Sequence, residues 1–373
     1  MKVPFFTPVR EYLNYQKELD HAIQQVLLRG DFILGEEVGL FEQEAIKYLE
    51  APYAVGVASG TDALVIASDL LDFRDGAEVL TPTFTFFASA SCIARLGGRP
   101  VFVDINEETL QMDLNAAERK ITKKTKGILP VHLFNQPVPM EPLLKMAKAY
   151  DLAILEDAAE AWGMECKIGD SWKKAGTIGD IGIYSFFPTK TLGGYGDGGL
   201  IVTSNPDLAQ KARWYRVHGA KKKYYHEYLG YNSRLDTVQA AVLRVKLNHI
   251  QEAIEKRAKH AEHYMKRLSV IPEVRIPIIP DNVHPVYYVF NILVIEKKRD
   301  ALIQFLKERE VGTTVYYPLP LHLQPCFSYL GYKEGDFPRA EGVSEQILAL
   351  PLFPELTDDE VDYVCDCIEE FFR

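Results

Sequence analysis

Cysteine is scarce in this chain of 373 residues: Cys92, Cys166, Cys326, Cys365 and Cys367 are the only five. Their spacing matches neither a disulfide framework nor a set of zinc ligands, so the expectation is reduced thiols, no metal site and a cytoplasmic protein. Long apolar runs are missing too. The stretch Met1 to Arg10 carries two prolines and no apolar core, which argues against a secretory signal and for a protein with no membrane attachment. Positive charge is in deficit, with 42 Lys and Arg against 52 Asp and Glu and a net charge of −10. That balance, with no recognisable helix-turn-helix, speaks against a nucleic-acid surface. The one basic cluster, Lys221-Lys222-Lys223 before Tyr224 and Tyr225, reads either as a solvated loop or as point charges near a diphosphate. No repeat or low-complexity segment is evident, so a solenoid is not expected.

What is present is a large apolar content, 47% of the chain, enough to bury a sizeable core in about two domains. Strand and helix patterns alternate from Tyr53 to about Asp157, with strands near Val55, Val79, Val101, Ile128, Ile154, Ile183 and Ile201. This is the pattern of an α/β fold with a mostly parallel sheet covered by helices. Asn205-Pro206-Asp207 marks a helix start. One long amphipathic helix is predicted from Asp236 to Leu268, its buried face carried by Leu243, Leu247 and Ile250. Beyond it Tyr287–Ile295 and Thr313–Tyr317 read as strands, Asp300–Arg309 as a helix, and Thr357 with Glu360 as a capping box. That alternation describes a smaller α+β domain.

One lysine stands out. Ser185-Phe186-Phe187-Pro188-Thr189-Lys190 leaves a hydrophobic strand and runs into Gly193, Gly194, Gly196, Gly198 and Gly199. Those glycines let a large group lie against the backbone. Alone, a lysine is most often a solvated surface charge. Three companions change that reading. Ala54–Ala58 is an apolar strand that breaks at Ser59-Gly60-Thr61-Asp62 and continues as a helix, a start that suits either an ordinary cap or a phosphate. Leu152–Asp157 ends a strand in carboxylates, placing Asp157 where open α/β sheets bind ligands, either as a helix cap or as a partner for a pyridinium nitrogen. Thr83-Phe84-Thr85-Phe86-Phe87 brings aromatic rings to the same edge, one of which could stack on a planar ligand. His132 and His218 are the two histidines close to such motifs, and a structural role is the default for each.

Together these segments resemble the DegT/DnrJ/EryC1/StrS family of pyridoxal-phosphate-dependent sugar aminotransferases. The matching pieces are Phe32-Ile33-Leu34-Gly35, Ser59 to Leu64, Thr85 to Ala88, Pro130-Val131-His132-Leu133, Glu156-Asp157-Ala158-Ala159, Ser185 to Gly199, and Tyr231 to Asp236. The resemblance implies the aspartate-aminotransferase type of fold, fold type I. Residues 1–240 would form the large cofactor-binding domain and 241–373 the small one, with the amino-terminal segment near the small domain. It further implies Lys190 as the Schiff-base lysine and proton shuttle, Asp157 on the pyridine nitrogen, and Gly60, Thr61 and Ser185 on the phosphate. Phe86 would stack on the ring and Glu160 lie beside the phenolic oxygen, a departure from the expected Gln or His that brings two anionic oxygens together unless they share a proton. Asn232 would reach the neighbouring subunit's cofactor, which makes a homodimer with shared sites. L-glutamate is the implied donor and a nucleotide-linked keto sugar the acceptor. The stretch Val315–Pro325 leans toward 3-keto sugars, with Arg234, Tyr316, Tyr317 and His322 as substrate contacts. A 4-keto acceptor, or a cofactor-binding regulator of the same fold, is the alternative.

Overall fold

Seven apolar segments pair into one sheet in the computed structural model, which describes residues 1–373. Their order is Tyr53–Val57, Gly199–Thr203, Ile181–Ser185, Ala153–Asp157, Thr125–Ile128, Glu78–Pro82 and Arg99–Val103. From Ile181–Ser185 to Arg99–Val103 every pairing is parallel. Gly199–Thr203 runs antiparallel to both neighbours. The remaining strands therefore share one direction, and Val57, Pro82, Ile128, Asp157 and Ser185 end on a single edge. The sheet is the mostly parallel one expected. Its strands are buried almost throughout because helices cover both faces.

The reversed strand decides where Lys190 sits. A chain leaving Ser185 at the carboxyl edge must re-enter at Gly199 on that same edge, so the loop 186–198 stays above it. Close approach is built in with glycine. A Cβ on Gly199 would lie 2.3 Å from the Ser59 carbonyl oxygen, and one on Gly60 would lie 2.6 Å from Ser185 Cβ. Neither distance is tolerable, so only glycine lets the Lys190 loop, the Ser185 strand end and the helix Gly60–Leu70 meet.

Two elements differ from expectation. The predicted helix from Asp236 to Leu268 is two helices, Thr237–Asn248 and Ile250–Leu268, divided at His249 with φ −106° and ψ 5°. His249 leaves helical geometry where its ring stacks on Tyr15, centroids 4.0 Å apart, and Nε2 meets Glu18 at 3.1 Å. The expected strand at Thr313–Tyr317 is also absent; only Thr314 makes a bridge, to Ala349. Pro318 and Pro320 remove ladder donors just beyond it, and Tyr316 and Tyr317 turn into a cleft instead. The caps are as read. Asn205 accepts from the N–H groups of Asp207 and Leu208 ahead of Pro206, and Thr357 and Glu360 form the reciprocal box on the last helix.

A second, antiparallel sheet joins Val274–Arg275, Phe290–Val294 and Ile347–Leu350. Its core gathers Tyr264, Phe290, Leu348, Phe353, Val361 and Ile368 around Val3. Val3 pairs with Val311, and Arg10 grips Glu360 through two hydrogen bonds of 2.7 and 2.6 Å. Leu243, by contrast, is buried with Phe41 and Trp162 in a core of the first sheet. On that packing we propose a division between the lobes at His249 rather than after residue 240. No helix is long and apolar enough to cross a membrane.

Candidate active site

The carboxyl edge of the large sheet opens into a cleft of about 550 Å³. Its floor carries Asp157 at a strand end, its near wall Ser59, Gly60 and Thr61 at a helix start, and its far wall Tyr288, Tyr316 and Tyr317. Phe86, Glu160, Ser185 and Lys190 also line it. Residues from 59 to 197 converge on one space because each parallel strand delivers its following loop to the same edge, and Tyr288, Tyr316 and Tyr317 close that space from the second lobe.

Lys190 Nζ lies 3.2 Å from Glu160 Oε1 and 4.5 Å from the centre of the Tyr288 ring. Burial pulls its ammonium pKa down, but Tyr288, Glu160 and Asp157 outweigh that and leave it above the ordinary lysine value. Burial pushes the Glu160 carboxyl up against the opposing pull of Lys190. The other oxygen of Glu160, Oε2, is buried with no donor in the chain. Asp157 is likewise pushed up by burial, against the Ser89 hydroxyl, the Ala159 N–H, Lys190 and His132. Ser89 Oγ donates to Asp157 Oδ2 at 2.8 Å, and Ala159 N–H donates to Oδ1 at 3.2 Å.

At the near wall Ser59 caps the helix by accepting from Asp62 N–H at 3.0 Å. Helix geometry leaves the N–H groups of Gly60 and Thr61 without intrahelical partners, and the positive end of the dipole points at the cleft. The cap and the anion site are therefore the same turn. Ser185 sets its hydroxyl beside that turn.

Not every expected residue is here. Asn232 and Arg234 line a separate polar recess with Gly196, Asp236 and Gln239, which shares Ser59 and Asp197 with the cleft. His322 is a correction. It is 2% exposed and absent from the cleft wall, with Nδ1 at 2.8 Å from Thr83 Oγ1 and Nε2 at 3.0 Å from Glu341 Oε1. Both ring nitrogens are spent inside the chain, so His322 ties the Thr83–Phe87 segment to the second lobe and has none left for a substrate. His132 is structural as well: Val138 N–H donates to Nδ1 at 3.2 Å, so Nε2 carries the proton and donates to buried Glu156 at 2.8 Å. His218 sits by the hairpin Ala220–His226, away from the cleft, as do Lys221 to Lys223. Sequence reasoning passed over Ser89 and Tyr288. Ser89 follows Phe86 by three residues at a helix start, a faint signal; Tyr288 had none, since it comes from the other lobe.

Pyridoxal phosphate requires an amine for its aldehyde, an anion for its ring nitrogen, donors for its phosphate and a flat space between. Lys190, Asp157, the Gly60–Thr61 turn with Ser185, and the cleft under Phe86 meet those demands, and the orphaned Glu160 oxygen leaves a polar atom for the bound group. Such a set at the carboxyl edge of a mostly parallel sheet defines a fold type I pyridoxal-phosphate enzyme. The chain belongs to the DegT/DnrJ/EryC1/StrS aminotransferase family, whose model matches residues 14–369.

Relatives are similar over the whole length. A pleiotropic regulatory protein of Geobacillus stearothermophilus is 45% identical, over 100% of this chain and 99% of its own. The dTDP-3-amino-3,4,6-trideoxy-alpha-D-glucose transaminase of Streptomyces venezuelae is 37% identical, over 99% and 96%. The UDP-N-acetyl-3-dehydro-alpha-D-glucosamine 3-aminotransferase of Acidithiobacillus ferrooxidans is 36% identical, over 97% and 94%. Among solved structures, DesV of Streptomyces venezuelae superposes with a TM-score of 0.96 at 37% identity, over 100% of this chain and 99% of that one. NtdA of Bacillus subtilis, solved with pyridoxamine phosphate bound, superposes with a TM-score of 0.91 at 30% identity, over 100% and 85%. The protein is a pyridoxal-phosphate-dependent aminotransferase.

Proposed function

We propose that the chain transfers an amino group from L-glutamate to the 3-keto carbon of a nucleotide-linked sugar, as a homodimer with shared active sites. The observation that carries this is the meeting of Lys190, Glu160 and Asp157 on the floor of one cleft beside an open helix terminus. When bound, pyridoxal phosphate supplies an aldehyde that takes up amino groups and a ring that absorbs electrons. Lys190 Nζ would be the amine that anchors that aldehyde, and as a free amine it would serve as the base for a proton at the donor carbon. Asp157 would keep the ring nitrogen protonated, Gly60, Thr61 and Ser185 would hold the phosphate, and Phe86 would cover the ring. Glu160, with its raised carboxyl pKa, can meet an anionic oxygen as a proton donor, which removes the repulsion that two anions would bring.

Tyr316 and Tyr317 form the wall that a sugar would face, and the Streptomyces relative, named for a 3-amino sugar, and the Acidithiobacillus relative, named for a 3-dehydro sugar, support the same carbon here. The Geobacillus relative's name favours a second reading, a cofactor-binding regulator. Against it stands Lys190, an amine placed beside two acids where proton transfer needs one. Four buried, unpaired thiols support a reducing cytoplasm. The test is a panel of nucleotide-linked 3-keto and 4-keto sugars offered to protein loaded with pyridoxamine phosphate. Amination of 3-keto members is expected. Consumption of 4-keto members alone would move the carbon, and no consumption of either would leave the regulator.

The shared site makes its own prediction. Asn232 and Arg234 lie outside the cleft of their own chain, and Phe32, Ile33 and Leu229 remain exposed for a partner. Lys190→Ala chains mixed with Asn232→Ala chains give hybrids in which one site carries both defects and the other neither. Random reassortment makes about half of all dimers hybrid, so activity should recover to roughly a quarter of wild type. Confirmed subunit exchange with no activity above the separate parents would refute the shared site.

A further inference from the structure

Asp157 is held by its own chain, and one of its two donors is a side chain with no access to the cleft. Ser89 is wholly buried, its hydroxyl 2.8 Å from Asp157 Oδ2. It lies in the first turn of the helix Ala88–Arg95, where its N–H donates to the Phe86 carbonyl at 3.3 Å. A single turn of chain therefore sets the ring on the cleft wall and the hydroxyl behind the acid. A second hydroxyl backs the first, since Thr85 Oγ1 is 3.2 Å from Ser89 Oγ.

Each hydroxyl has one proton to give. If Ser89 donates to Asp157, Thr85 donates to Ser89, and both protons are used. In the reverse direction a protonated Asp157 would donate to Ser89 and Ser89 to Thr85, leaving the Thr85 proton to the cleft that Thr85 lines. Only the arrangement that ends on an ionised carboxylate uses both hydroxyl protons within the chain, and in it successive dipoles reinforce one another. Burial works the other way and raises the Asp157 carboxyl; the Ser89 hydrogen bond is the strongest influence opposing it.

We propose that Ser89 is a positioning residue for transamination: its hydroxyl, backed by Thr85, holds Asp157 ionised and oriented so that the acid keeps a proton on the ring nitrogen of the bound cofactor. This rests on the assignment of Asp157 to that nitrogen. Ser89→Ala removes the donor while leaving shape almost unchanged, and Thr85→Val removes only the outer hydroxyl.

The decisive measurement is the nitrogen-15 chemical shift of ring-labelled pyridoxal phosphate bound to wild type, Ser89→Ala, Thr85→Val and Asp157→Asn, followed between about pH 6 and pH 9. The wild-type ring should stay protonated across the range. Ser89→Ala should lose the ring proton at least about one pH unit earlier, a tenfold change in proton affinity, and Thr85→Val should move less in the same direction. Ser89→Thr, which keeps the hydroxyl, should titrate as wild type. The rate of the half-reaction with L-glutamate should fall with the ring proton, by about tenfold in Ser89→Ala with KM little changed. A Ser89→Ala titration that coincides with wild type while Asp157→Asn is shifted overturns the role of Ser89 alone. Coincidence of all variants, Asp157→Asn included, overturns the assignment beneath it as well. Should Ser89→Ala fail to accumulate as folded protein, Ser89→Cys, a weak donor of similar size, makes the same comparison.

Discussion

Lys190→Ala will give a folded protein that binds pyridoxal phosphate, forms no borohydride-reducible link to it and turns over no substrate. Only an amine at this place can join the aldehyde, and no second lysine lines the cleft. Loss of the acid–base role by itself costs about 10²–10⁴-fold, and loss of the covalent step adds to that. Folding should survive for an electrostatic reason. The residue left behind, Glu160, is already pushed toward its neutral form by burial, so removing its cationic neighbour strands no obligatory charge. A thermal melt, absorbance, mass after borohydride and a turnover assay on the same preparation check the four parts. A reducible adduct in the variant would place the covalent anchor on another residue.

Asp157→Asn has the second largest expected effect. The amide keeps the size of the carboxylate and leaves the strand end Ala153–Asp157 intact, so the cofactor should still bind. It cannot hold a proton on the ring nitrogen, because a neutral amide offers no charge to stabilise a pyridinium. The rate of proton transfer in the half-reaction with L-glutamate should fall on the order of 10²–10³-fold, comparable with removing one preorganised donor from an active site. Single-turnover kinetics under saturating donor separate this from weaker binding. Unchanged rates would remove Asp157 from the ring nitrogen.

The parts of the site legible in the sequence are those whose chemistry is local. A strand that ends in Asp157, a turn that exposes the N–H groups of Gly60 and Thr61, and a lysine leading into a glycine loop each declare themselves within about ten residues, through propensity, capping and backbone freedom. The seven strands of the sheet were legible for the same reason: buried strands are short apolar runs between turn signals. Errors arose where a residue's state depends on distant partners. The family resemblance implies His322 as a substrate contact in its proline-rich stretch, yet Thr83 and Glu341 use both of its nitrogens. The Asp236–Leu268 pattern has helical periodicity throughout, and the packing of Tyr15 on His249 divides it.

By itself, then, the sequence determined the order and type of the elements in the large sheet, and marked Lys190, Asp157 and the Gly60–Thr61 turn as candidate anchor, acid and phosphate turn, because neighbours along the chain set strand ends and helix starts. Tertiary structure alone decided that Tyr288 stands over Lys190, that Ser89 backs Asp157 from 68 residues away, and that Asn232 and Arg234 lie outside their own cleft. Such contacts join segments whose separation along the chain carries no periodic signal. They exist only once parallel strands have brought their loops to one edge and the second lobe has closed over them.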